Sequence, residues 1–100
     1  MHPITQMVRV IVECLVRSDE LEGVTEAQQP GMLRVDVRLR GRRAAGSVIG
    51  QTGETVRAIR HLVQRVGKMS RPPILTAVEV ANVEEQQGVD TTAVRLGLGR

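Results

Sequence analysis

Two glycines three positions apart, Gly50 and Gly53, lie within AAGSVIGQTGETVRAIRHLVQ (residues 44–64), after the aliphatic pair Val48 and Ile49 and before apolar residues at helical spacing. A Gly-x-x-Gly between two helices lets the backbone turn tightly and leaves no β-carbon where another backbone approaches. The helix that begins at Gly53 or Glu54 then aims its unsatisfied N–H groups and positive dipole end out of the same turn. That is chemistry suited to phosphates. A P-loop would need a lysine directly after the second glycine, and a dinucleotide fingerprint would need Gly-x-Gly-x-x-Gly directly after a strand; the chain has neither.

Other chemistries find little material. A nucleophile would have to come from Cys14, Ser18, Ser47 or Ser70 and a base from His2 or His61, and no local motif aligns any such pair. Cys14 is the only cysteine, so no intramolecular disulfide and no Cys-x-x-Cys metal set can form. It sits at the edge of an apolar stripe beside Ile11, where a partly buried structural thiol is expected. No enzymatic activity, metal or cofactor is expected. His61 reads as a solvated or capping histidine.

One hundred residues suit one domain with its own core. The chain has no Phe, Tyr or Trp, so large apolar burial falls to Val, Ile, Leu and Met, and stacking of bases on aromatic rings is excluded. The net charge is only +3, but it is unevenly spread. From Arg34 to Arg71 there are ten Lys or Arg against Asp36 and Glu54 alone, whereas the other acids fall before and after that window. A basic middle around the glycine pair points to a polyanion. Arg9, Glu13 and Arg17 interrupt the apolar residues of the N-terminus, which therefore does not read as a signal peptide or membrane span. A cytoplasmic protein is expected.

The elements that must position the glycines follow from periodicity. Ile4, Val8, Ile11, Val12, Leu15 and Val16 recur at helical spacing, which predicts a helix from about Pro3 to Arg17. VTEAQQ (24–29) is a weak strand ending at Pro30 and Gly31. MLRVDVRLR alternates strictly, Leu33, Val35, Val37 and Leu39 facing a core and Arg34, Asp36, Arg38 and Arg40 facing water. Small residues Ala44, Ala45 and Gly46 predict a short helix ending at Gly50. Val56, Ile59, Leu62, Val63 and Val66 predict the core stripe of a second helix that Gly67 stops, Val56 also being placed to reach a ligand groove. After Pro72 and Pro73, ILTAVEVANV predicts a closing strand with Ile74, Val78 and Val80 on one face.

With that order in place, GSVIGQTGETVRAIRHL resembles the signature of a KH domain, in which an apolar pair precedes a glycine loop and apolar residues punctuate the helix after it. One helix and two strands before the motif, and one strand after it, are similar to the type II arrangement. Length and opening helix are similar to the small stand-alone bacterial KH RNA-binding proteins of the KhpA type. The resemblance covers about residues 5–82 and is most specific from Gly46 to Leu62. It implies an α+β fold, α-β-β-α-α-β, with a three-stranded sheet and helices packed on one face. It also implies a KH domain over 1–82 and a loosely ordered or disordered C-terminal tail over 83–100.

The function so implied is single-stranded RNA binding, as an RNA chaperone or post-transcriptional regulator. Gly50, Gln51, Thr52 and Gly53 would clamp the sugar-phosphate backbone, Val48 and Ile49 would belong to the helix before it, and Ile59 would face the core or groove floor. Bases would lie in an aliphatic groove between these helices and the sheet edge, a mode that needs no aromatic rings. Family loops usually carry Lys or Arg at one variable position, and stand-alone members often carry Lys before the Val-Ile pair. This chain has Gln51, Thr52 and Ser47 there, so Arg42, Arg43, Arg57 and Arg60 are expected to supply the charge. The alternative is a protein-interaction module with a weakened loop. The implied partners beyond RNA are a second copy or another KH protein, with a link to the ribosome as part of the same implication and no membrane.

Overall fold

The computed structural model describes residues 1–86. Its elements are α1 (Pro3–Leu15), β1 (Leu21–Gln29), β2 (Met32–Leu39), α2 (Arg42–Ile49), α3 (Glu54–Met69), β3 (Leu75–Asn82) and the single turn α4 (Val83–Gln86). The tail expected over 83–100 begins with α4, and its remainder lies outside the described residues.

The sheet has the order β1-β2-β3. β1 and β2 form an antiparallel hairpin through Pro30 and Gly31, whose φ of 74° uses glycine's freedom. β2 and β3 run parallel, with Val35 beside Val78 and Leu39 beside Asn82. Parallel neighbours need a crossover, and α2 and α3 are that crossover. The glycine turn therefore lies midway between two adjacent strands.

Strict alternation in β2 works as its pattern requires: Leu33, Val35, Val37 and Leu39 are all at most 1% exposed. They lie beneath Ile4, Val8 and Val12 of α1, Ala44 and Val48 of α2, and Ile59 and Val63 of α3. The core is wholly aliphatic. On the opposite face Arg34 pairs with Asp36 at 3.1 Å and Arg38 with Glu22 at 2.6 Å, and no described helix covers them. Element order, mixed sheet and one-sided helices agree with the arrangement expected from the sequence.

Five local expectations are corrected. β1 begins at Leu21, three residues earlier than expected, because an irregularity between Leu21 and Gly23 lets pairing continue to Leu39. Helix α1 ends at Leu15, two residues short of Arg17. Gly67 does not stop α3, which runs on to Met69. A β-carbon at Gly67 would lie 2.7 Å from the Ile74 carbonyl oxygen, so this glycine allows strand and helix to touch. Cys14 and Leu62 are exposed, Leu62 at 46%, because each lies on the solvent side of its helix's apolar stripe.

Candidate nucleic-acid interface

The turn is built from unusual backbone. Gly50 has φ 81° and ψ 169°, Thr52 φ 58° and ψ 20°, and Gly53 φ 77° and ψ 13°. The Gly50 N–H donates to the Gly46 carbonyl at 2.8 Å, closing α2, and the Gly53 N–H donates to the Gly50 carbonyl at 3.2 Å. Thr52 is the only non-glycine residue with positive φ among the described residues, and its hydroxyl donates to the Gln51 carbonyl at 2.5 Å. A β-branched residue in the left-handed region is a strained choice.

The two glycines serve different ends. A β-carbon at Gly50 would come within 2.3 Å of Thr55 Oγ1 and 2.8 Å of the Thr55 nitrogen, so its hydrogen is required by the chain's own packing. At Gly53 a β-carbon would meet nothing within 4 Å. Of the two, Gly53 alone combines a left-handed backbone with open surroundings, as Gly31 does in the β1–β2 turn, so an outside group can approach the motif from that side.

Helix α3 starts here without a side-chain cap. The Glu54 N–H is taken by the Gln51 carbonyl, so what the helix start turns towards the loop is the positive end of its dipole. Glu54, at the first helical position, is the one acidic side chain of that turn. Gln51 and Thr52 are exposed, and Arg57, one helical turn further on, is exposed as well.

The remaining expected residues are placed more variously. Val48 is fully buried and holds α2 to the core, whereas Ile49 is 39% exposed beside the turn. Arg42 and Arg43 open α2, and Arg43 lies about 10 Å along the helix from Gly50. Arg43 is committed elsewhere: its Nε donates to Glu20 Oε2 at 2.9 Å and its terminal nitrogen donates to Oε1 of the same carboxylate. That guanidinium, followed by the Arg17 N–H at 2.8 Å, holds the Glu20 carboxyl below its ordinary range. Arg60 leans the other way, its Nε donating to the Val78 carbonyl at 3.0 Å.

Arg60 thereby forms one wall of a cleft of about 210 Å³ between α3 and β3, lined also by Gln64, Thr76, Ala77, Val78 and Glu79. β3 is an edge strand, paired only with β2 among the described residues. Thr76 Oγ1 is buried without a hydrogen-bond partner at this place. The turn with Ile49 and Arg57 thus lies where α2 meets α3, the cleft lies further along α3 against β3, and Arg43 is bonded away to Glu20.

Sequence reasoning missed Thr55, which makes Gly50 obligatory, and the cleft residues Gln64 and Thr76. It also missed Asn82, only 8% exposed, whose Oδ1 accepts the Gly41 N–H at 3.1 Å and the Glu84 N–H at 3.1 Å. This side chain ties the start of α2 to the end of β3. His2 is likewise structural, since its Nδ1 accepts the Ile4 N–H at 3.0 Å and caps α1.

Among the described residues no group of three or more His, Cys, Asp or Glu side chains is placed to hold a metal. No helix among them is long and apolar enough to cross a membrane.

The α-β-β-α-α-β order, the mixed three-stranded sheet and the helices on one face match a type II KH fold. No family model and no curated protein matches the sequence. Among solved structures, a crystal structure of a variant of Aquifex aeolicus Era bound to GDP and AlF4− is similar, with a TM-score of 0.49, 14% identity and coverage of 79% of this chain. The match spans 31% of that chain.

Proposed function

We propose that this chain is a non-catalytic single-stranded RNA-binding module that grips the sugar-phosphate backbone at 50–53. The observation that carries the reading is the turn itself: left-handed backbone at Thr52 and Gly53, open space at Gly53 and an uncapped helix start behind it. Such a corner suits an anion held by backbone N–H groups. Arg57 supplies charge next to it, Ile49 an apolar edge, and the cleft at Arg60 a place for a base against the strand edge. Arg42 belongs to the outer rim, and Arg43 contributes only in so far as Glu20 releases it.

The biological role in this reading is that of a small stand-alone bacterial KH protein of the KhpA type. It would act in the cytoplasm as an RNA chaperone or post-transcriptional regulator, with ribosome-linked RNA among its targets. Neutralising about three or four phosphates predicts a loss of roughly 20- to 50-fold in affinity between about 50 and 200 mM salt.

The test is binding of a short random single-stranded RNA pool to the wild type and to a Gln51→Asp, Thr52→Asp variant, with both folds checked by circular dichroism. Binding by the wild type alone supports the clamp. Equal binding, or binding by neither, removes it.

A second reading rests on a different observation. Val10 is 58% exposed, Leu62 46% and Met69 70%, all on the helical layer, which suits pairing with a second copy or with another KH protein. Sedimentation across a concentration series, with Leu62→Glu as the comparison, separates this reading from the first.

A further inference from the structure

The charge on α3 does not end at the turn. Counting about 100° per residue from the buried Val56, Arg57, His61 and Lys68 fall on one flank of the helix, the flank that also carries Arg60 and Gln64 into the β3 cleft, and Arg65 lies at its outer margin. The opposite flank carries Ala58, Leu62 and Met69. Arg57, His61, Arg65 and Lys68 are all exposed.

Pairing separates these cations from Arg34, Arg38 and Arg43, though not from Arg40 or Arg71. On the sheet's open face Arg34 is matched by Asp36 and Arg38 by Glu22, and at the start of α2 Arg43 is matched by Glu20. Arg57, Arg65 and Lys68 have no carboxylate or hydrogen-bond partner among the described residues. After Glu54 the helix contains no acid at all.

Solubility alone is a weak account of this arrangement. A solvated helix gains from acids placed three or four residues from its bases, and it loses by similar amounts where like charges take those places. The helix dipole favours a cation in the last turn, which explains Lys68, but its influence does not reach Arg57 or His61. An uncompensated row of bases beside a polar cleft is stabilised when a polyanion lies along it.

We infer that the distal half of α3, through Arg65 and Lys68, is a second phosphate-contact site that extends the bound RNA beyond the segment held at the turn. Lys68 lies about 17 Å along the axis from Arg57, and α3 as a whole is about 24 Å long. A glycine loop of this kind clamps about four nucleotides, so the distal bases meet the strand that continues past them. This inference rests on the RNA-binding reading and names where the remainder of the RNA runs.

The experiment compares random-sequence RNAs of about four and about ten nucleotides by fluorescence anisotropy over a salt series. It uses the wild type, Arg65→Gln with Lys68→Gln, and Gln51→Asp with Thr52→Asp. Two extra phosphates steepen the salt slope by about 1.4 for the longer RNA, a further sevenfold loss between about 50 and 200 mM. The distal variant is expected to lose that increment while leaving the short RNA unaffected, and its thermal melt controls for the dipole contribution of Lys68.

Equal slopes for the two lengths, or an increment that survives in the distal variant, overturn the inference while leaving the turn as the binding site. Binding of the long RNA that is indifferent to the loop variant but lost in the distal variant keeps the α3 site and removes the turn. Binding of neither RNA removes both.

Discussion

Gly50 is pressed against Thr55: a β-carbon on the glycine would stand 2.3 Å from the threonine hydroxyl oxygen, 2.7 Å from its Cβ and 2.8 Å from its backbone nitrogen. The corner between α2 and α3 is closed by that contact before any ligand arrives. Gly53, three residues later, faces open space.

Alanine at the two positions is therefore expected to behave differently. Gly50→Ala combines left-handed strain with a backbone clash and should lose about 2–4 kcal/mol. Gly53→Ala meets only the strain and should lose about 1–2 kcal/mol. Urea titrations followed by circular dichroism measure both, and equal losses would refute the division of labour.

Glu54 offers a test in which stability and binding move in opposite directions. Its carboxylate lies at the start of α3, where a negative charge helps the helix by about 0.3–1 kcal/mol, so Glu54→Gln should lower stability slightly. The same carboxylate repels a phosphate seated at that helix start. RNA affinity at low salt should rise by about three- to fourfold, on the order of a single like charge at 5 Å in water. Unchanged or weaker RNA binding would place the phosphate elsewhere.

Val48 and Ile49 are adjacent but answer to different partners. Val48 is fully buried, and Val48→Ala should lower stability by about 2 kcal/mol with RNA affinity of the folded protein unchanged. Ile49 is 39% exposed beside the turn, and Ile49→Ala should weaken RNA binding several-fold with little loss of stability. Parallel denaturation and anisotropy measurements on the pair decide the matter.

Acid should loosen the attachment of α1 to β1. The Glu26 carboxyl is held down from 4.5 to about 2, first by the neighbouring Thr5 hydroxyl, then by Gln28 and the His2 N–H. Of these, Gln28 Nε2 at 2.6 Å and the His2 N–H at 2.9 Å make full hydrogen bonds, while the buried Thr5 Oγ1 falls short of one. A depressed carboxyl stabilises the fold above its unfolded value, so this contribution is complete above about pH 5 and disappears as the pH falls from 4.5 towards 2. Glu26→Gln should flatten that part of the stability curve, as read from midpoints in urea at stepped pH.

The parts of this fold that could be read in advance are those where periodicity leaves no choice. Strict alternation from Met32 to Leu39 can only be a strand with one buried face, and Val56, Ile59 and Val63 can only share one side of a helix. Contacts between distant segments were not legible. Gly67 looks like a helix stop until Ile74 is seen against it, and Gly50 looks like its partner Gly53 until Thr55 is seen beside it. Cys14 and Leu62 sit on the margins of apolar stripes, where only the neighbouring elements decide which margin is covered. Likewise Arg43 counts as a ligand-facing base in the sequence, but its bond to Glu20, twenty-three residues earlier, is a tertiary fact.

Because β3 pairs in parallel with β2 across the whole α2–α3 connection, the sheet beneath the corner at Gly50 cannot be finished locally. The hairpin of β1 and β2 can form early from near neighbours, whereas the third strand must return over more than thirty residues before its ladder gains anything. During synthesis, the sheet and the start of α2 are therefore tied together only once Asn82 has been added and has accepted the Gly41 N–H. Nascent chains shorter than this carry the motif without the complete third strand beneath its helices.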